Sequence, residues 1–255
     1  MRFGWLIVTM AMIVAGCTSG NGSTDSVSLP FGSFYNGWDP DSQFVASLGV
    51  VERDVILTLT DPSTGEFATV GQGVRLFLSW EAGGDRIAMN TGGVLRVITT
   101  DGAQLFGRPS SEFLQTPVWI PGGAEVLAVV DQPRGPAVVA IDVETGGERT
   151  LLLVSGPTSM VIDPMGTMVA ILHVADTSGV VSAGFSSAQP TVPSGSSLFL
   201  VDLATGDVTE IADAQRGGVF WSPTGYRLLS VVVDATDGEL WFRWQVHTAE
   251  GELTG

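Results

Sequence analysis

The chain has 255 residues, with 27 acidic side chains against 11 basic ones, all arginine, and a formal charge of −16. That balance repels phosphate backbones and argues against nucleic-acid binding, while the lack of lysine excludes Schiff-base and P-loop chemistry. Two histidines (His173, His247) and one cysteine (Cys17) are too few for a Cys/His metal centre or a disulfide framework, so neither metal nor cofactor is expected.

In chain order, an address comes first. After a single Arg2, residues 3–15 form an apolar run shorter than the ~20 residues a bilayer-spanning helix needs, which predicts the core of a signal peptide. The run ends in Val14-Ala15-Gly16-Cys17, which resembles the bacterial lipoprotein lipobox. That resemblance implies removal of residues 1–16 and lipidation of Cys17. Residues 17–30 would then form a lipidated, polar tether without apolar periodicity, and the remaining domain would span 31–255.

The mature chain is organised by a repeat. An aromatic or apolar residue leads into a turn rich in proline and glycine at Trp38-Asp39-Pro40, Trp80-Glu81-Ala82, Trp119-Ile120-Pro121, Ile162-Asp163-Pro164 and Trp221-Ser222-Pro223. Proline at the second turn position presets φ and glycine near the end lets the chain leave, so each unit predicts a tight turn between strands. An apolar run follows each turn, as in Val126 to Val130 and Met168 to Leu172. A third strand then ends in a second turn, such as Asp142 to Gly146 or Asp202 to Gly206, and a more polar fourth strand comes after it. Four antiparallel strands per ~40–45 residues is the period of a β-propeller blade. Continuous apolar inner strands, such as Ala137 to Ile141, predict blades covered on both faces, and no helical periodicity appears after residue 30.

The segments Trp221-Ser222-Pro223-Thr224-Gly225 and Leu198-Phe199-Leu200-Val201-Asp202 resemble the WD40-like repeat of TolB-type propellers, over about residues 31–255. The resemblance implies an all-β propeller with five recognisable four-stranded blades. It also implies a binding or protein-interaction scaffold, here lipid-anchored and extracytoplasmic in a bacterial envelope. The same repeat occurs in lid domains of peptidases, but the chain lacks the Gly-x-Ser-x-Gly nucleophile turn of their catalytic half.

Candidate chemistry is sparse. Carboxylates beside the first turn (Asp39, Glu81, Asp163) would converge on one face of the disc and offer the alternative of a carbohydrate-active enzyme, because paired carboxylates hydrolyse glycosidic bonds. An aspartate before proline also caps its own turn, which is the reading preferred here. The turn tryptophans are expected to pack between blades, His173 to be a core residue, and the Asp-x-x-Thr-Gly turns to be structural, not calcium sites. Alternation over Leu240 to His247 places Trp241, Arg243 and His247 on one face, read first as an arginine stacked on tryptophan in a blade interface and, as the alternative, as a binding surface for a protein, peptide or glycan. Residues 175–196, rich in serine, glycine and proline, lengthen the fourth unit and predict a loop. The fifth unit stops short of its outer strand. Either Val27-Ser28-Leu29 supplies that strand and closes a five-bladed ring, or the chain is a fragment of a larger propeller, the option favoured by so short a candidate strand.

Overall fold

The computed structural model describes residues 35–51, 54–114, 116–174, 196–211, 216–236 and 239–254. The signal segment, Cys17, the tether with Val27-Ser28-Leu29, and the loop 175–195 lie outside them. Among the described residues every regular element is a strand, and the strands form five antiparallel sheets that follow one another along the chain. Blade 1 is β1 (Tyr35–Trp38), β2 (Val45–Val51), β3 (Asp54–Thr60) and β4 (Phe67–Gln72). Blade 2 is β5 (Val74–Trp80), β6 (Arg86–Thr91), β7 (Val94–Thr99) and β8 (Gln104–Pro109). Blade 3 is β9 (Val118–Trp119), β10 (Glu125–Gln132), β11 (Gly135–Asp142) and β12 (Glu148–Leu153). Blade 4 is β13 (Thr158–Ile162), β14 (Met168–Val174), β15 (Ser196–Asp202) and β16 (Val208–Ile211), and blade 5 is β17 (Arg216–Trp221), β18 (Arg227–Thr236) and β19 (Glu239–Thr248). Within each sheet the strands lie in chain order, the meander of a propeller blade.

Both turns of the repeat form as its residues dictate. In the first, the fifth residue donates its amide to the carbonyl of the second: Gly84 to Glu81, Gly166 to Asp163 and Gly225 to Ser222, at 2.9–3.0 Å. These glycines have φ of +71° to +76°, as a type I turn followed by a left-handed residue requires. Blade 3 departs from this pattern. There Gly122, not Gly123, has the positive φ (+73°), giving a type II turn after Pro121. In blade 1 the left-handed position is held by Ser42 (φ +58°), the one non-glycine with positive φ among the described residues.

The middle strands are buried on both faces. Val126 to Val130 of β10 and Ala137 to Ile141 of β11 are all fully buried, which explains their unbroken apolar sequence. Outer strands alternate or face solvent; β4, β8 and β12 carry mostly exposed or half-buried side chains. One apolar cluster joins blades 2, 3 and 4, a second joins blades 1 and 2, and a third joins blades 4 and 5.

Among the described residues blade 5 has three strands, and a bridge from Leu253 to His247 with a Thr254 N–H bond to the Val246 carbonyl (2.8 Å) adds a short stretch at the outer edge. Val219, Leu228, Ser230, Val232 and His247 are buried, whereas Phe220 and Trp244, on the alternate positions of the pleat, are 54% and 58% exposed.

Candidate functional site

The first turns of adjacent blades lie on one face, with those of blades 1 and 2, 3 and 4, and 4 and 5 in contact. A Cβ at Gly84 of blade 2 would sit 3.2 Å from the Asp39 Oδ2 of blade 1, and one at Gly225 of blade 5 would sit 3.1 Å from the Asp163 Oδ2 of blade 4. Blade 4 meets blade 3 in the same way, Gly166 against Pro121. Glycine therefore serves twice here, for the left-handed backbone and for the close approach of adjacent turns.

The three carboxylates singled out from the sequence are on this face, but in different environments. Asp163 is buried and saturated. Its Oδ1 accepts the amides of Thr167 (2.7 Å) and Met168 (2.6 Å), and its Oδ2 accepts the Met165 amide (3.2 Å) and the Thr167 hydroxyl (3.1 Å). Glu81 is bound through both oxygens to the Arg86 guanidinium, with Nε to Oε2 at 2.7 Å, and this pairing raises the Arg86 pKa above its ordinary value. Arg86 also lies over the Trp119 ring, 4.9 Å from its centroid, and its Nη1 is 3.7 Å from Glu144 Oε1. Glu81 thus anchors a cation that ties blade 2 to blade 3. Asp39 is as buried as Asp163, yet accepts one bond, from the Phe44 amide to Oδ1 (3.0 Å).

Between the first turns of blades 1 and 2 is a cavity of about 230 Å³, lined by Asp39, Asp41, Asp85, Gln43, Thr100, Phe44 and the backbone at Gly83 and Gly84. Asp41 and Asp85 are exposed and enter no ion pair among the described residues. Sequence reasoning missed this grouping because it joins residues more than forty positions apart. The available signal was an extra aspartate beside each of two adjacent turns.

The other candidates fall as follows. Three of the turn tryptophans contribute to blade packing: Trp119 is buried beneath Arg86, Trp80 packs against the cluster of blades 1 and 2, and Trp221 donates its Nε1–H to the Val161 carbonyl of blade 4 (2.9 Å), while the side chain of Trp38 lies outside the described residues. Of the face on β19, Arg243 is exposed, whereas His247 is buried with its Nε2 3.3 Å from Ser230 Oγ; the side chain of Trp241 lies outside the described residues. His173, in β14, is buried and its Nε2 is 3.2 Å from Ser155 Oγ; burial lowers its pKa.

The second turns are aspartate-capped. Asp142 Oδ1 accepts the amides of Glu144 and Thr145 (both 2.9 Å), and Asp202 Oδ1 those of Ala204 and Thr205 (both 2.8 Å). These bonds favour the ionised form and hold both carboxyls below the ordinary aspartate range. Among the described residues no three carboxylate, histidine or cysteine side chains are grouped so as to hold a metal ion.

No protein-family model and no curated protein sequence matches the chain. Its fold is shared with solved propellers at low sequence identity. TolB from Acinetobacter baumannii superposes with a TM-score of 0.56 at 14% identity, over 86% of this chain and 52% of that one. An oligogalacturonate lyase in complex with manganese gives 0.58 at 10% identity, over 89% and 66%. The β-propeller domain of the Trilobed protease from Pyrococcus furiosus, described as having an open velcro topology, gives 0.57 at 12% identity, over 87% and 68%. The chain thus spans about half the length of that TolB, and its architecture is the β-propeller fold these structures share.

Proposed function

We propose that this propeller is a lipid-anchored, extracytoplasmic binding scaffold of a bacterial envelope, holding a protein, peptide or glycan without transforming it. The observation that carries the reading is the state of the turn-face carboxylates. Acid–base hydrolysis needs two carboxyl groups, one free to give a proton and one to receive it or attack. Asp163 is committed to four hydrogen bonds within its own turn and Glu81 to Arg86, so of the three rim candidates only Asp39 keeps an uncommitted oxygen. Similarity to TolB supports the scaffold, and the propeller fold of the lyase and protease domains keeps an enzyme as the second reading.

The test is to present the purified protein with envelope fractions and a glycan panel while following turnover on the same samples. Retention of a partner without chemical change is expected. Hydrolysis of any glycoside that is abolished by Asp39→Asn, Glu81→Gln or Asp163→Asn would replace the scaffold by the enzyme.

The anchor is a separate part of the proposal and rests on the apolar run ending at Cys17. Cell fractionation checks it: wild type is expected in the membrane fraction with residues 1–16 removed, and Cys17→Ser in the soluble extracytoplasmic fraction or uncleaved. Identical fractionation and processing of the two would refute lipidation.

A further inference from the structure

We propose that Val27 to Phe31, ahead of β1, dock on β19 as the outer strand of blade 5, so that the N-terminal tether leaves the propeller from that rim. In blades 1 to 4 the third strand carries a fourth on its outer side. In blade 5 the chain turns at Thr248 to Gly251 and adds a short stretch there, but among the described residues its pairing reaches only His247 and Val246. β19 runs on from these residues back to Glu239. The bond from the Thr254 N–H to the Val246 carbonyl shows which backbone groups of β19 point outward. In an antiparallel ladder such groups alternate, so those of Trp244, Phe242 and Leu240 point the same way as Val246. Trp244, 58% exposed, stands beside them. An edge of this kind is a template for another strand.

Position along the chain names the occupant. Each outer strand runs antiparallel to the third strand of its blade, towards the end from which the next inner strand starts. A short link joins the two: Gly73 after β4, residues 110–117 after β8, 154–157 after β12 and 212–215 after β16. β1 is itself an inner strand, and stepping back from Tyr35 over a link of residues 32–34 reaches Val27 to Phe31, the place an outer strand holds in the repeat. The residues suit the edge. Val27, Leu29 and Phe31 alternate with Ser28 and Pro30, the period of a strand with one apolar face. Set opposite Trp244, Phe242 and Leu240, these three apolar residues exchange backbone bonds with β19, while Ser28 and Pro30 turn theirs to solvent. Pro30, which has no N–H to give, then lies where none is needed. Shifting the register by one residue would turn the proline towards β19 and forfeit a ladder bond. The brevity of Val27-Ser28-Leu29 favours a fragment on sequence alone, but the edge left beyond Val246 is short too, and a strand extended to Phe31 fills it.

The consequence for function is an orientation. From Val27 back to Cys17 an extended chain reaches at most about 35 Å, at ~3.3–3.6 Å per residue, so a lipid on Cys17 would hold the rim of blade 5 beside the bilayer. That orientation rests on the anchor reading, whereas the strand does not, and its test is made on the full chain carrying Cys17→Ser so that the two fail separately. Ser28→Cys and Arg243→Cys, opposite one another in this register, are introduced together. Ser28→Cys with Arg134→Cys is the control, Arg134 being exposed in the hairpin of blade 3. After mild oxidation, mass spectrometry of non-reduced digests is expected to find a 28–243 disulfide within one chain and no 28–134 disulfide, because the bond needs Cα atoms ~4.4–6.8 Å apart. Hydrogen exchange supplies a second readout with β19 left intact. In Val27→Pro/Leu29→Pro, which removes two of the proposed ladder donors, the amides of Phe242 and Trp244 should exchange roughly tenfold faster or more, with those of β10 and β11 unchanged. The docked strand is refuted if the 28–243 disulfide does not form, if it forms only between chains, which would make a second copy the donor, or if the proline variant leaves exchange at Phe242 and Trp244 as in wild type.

Discussion

Asp39 and Asp163 show how one residue type at one repeat position is hydrogen-bonded to different extents by its own turn. Replacing Asp163 with Asn keeps one acceptor oxygen but turns an N–H pair towards the Thr167 hydroxyl and Met165 amide, or the Thr167 and Met168 amides, so at least one buried donor loses its acceptor. A loss of about 1–3 kcal/mol is expected, read from the denaturant midpoint. Asp39→Asn should cost less, because its Oδ2 has no protein donor to lose; equal losses would show that turn capping at the two sites is the same. Ser42 gives the opposite sign. Among the described residues it alone holds a left-handed turn position without being glycine, at a strain of ~1–2 kcal/mol partly offset by the greater freedom of an unfolded glycine. Ser42→Gly is therefore expected to stabilise by roughly 0.5–1 kcal/mol, and a destabilisation would mean that the serine makes a compensating contact.

At the scale of the element, the strands were legible in the sequence because each constraint is local. Proline and glycine at fixed offsets mark both turns, and where a strand is covered on two faces it must be apolar without a break, as Val126 to Val130 of β10 and Ala137 to Ile141 of β11 are. What stayed hidden depends on the adjoining blade. Alternation correctly groups Arg243 with His247 on one face of β19, but burial of His247 beside Ser230 follows from that face's packing, which the strand's own sequence does not reveal. The type II turn of blade 3 was hidden for another reason: Gly122-Gly123 offers two permissive residues, and the pattern alone does not choose between them. Burial on two faces also sets energies. Leu127→Ala, in the middle of blade 3 where no exposed edge lets the structure relax, is expected to cost about 2–5 kcal/mol. Leu153→Ala on the outer strand, 52% exposed, should stay within about 0.5 kcal/mol. Comparable losses in urea unfolding would contradict a blade stack covered from both sides.

For the whole molecule, the dominant facts are a charge of −16 and the distribution of hydrogen-bonded carboxylates along one set of turns. Acid acts on these in opposite senses. Protonating carboxylates relieves general self-repulsion and favours the compact state. Two kinds of site oppose this. Asp61, Asp101, Asp142 and Asp202 are held below the ordinary aspartate range, Asp61 chiefly by the Ser63 hydroxyl, Asp101 by that of Thr99, and the other two by the Thr145 and Thr205 amides. Their folded pKa lies under the unfolded value of ~3.9, so the stability they add is present above that pH and is lost as pH falls through the folded pKa. His173 has a pKa lowered by burial and stays neutral in the fold, while the unfolded chain binds its proton near ~6.5. The unfolded state then holds more protons, so stability declines from about pH 6.5 downwards until the folded pKa is reached. In about 0.5 M NaCl, where exposed charges are screened beyond a few ångströms, the self-repulsion is suppressed and the two losses should separate. Wild type is expected to show one decline beginning near pH 6.5 and a second below pH ~4, while His173→Gln loses the part of the first that this imidazole contributes and keeps the second. If His173→Gln follows the wild-type curve between pH 4 and 7, the histidine is not held neutral by the fold, and its place in the core of blade 4 must be redrawn.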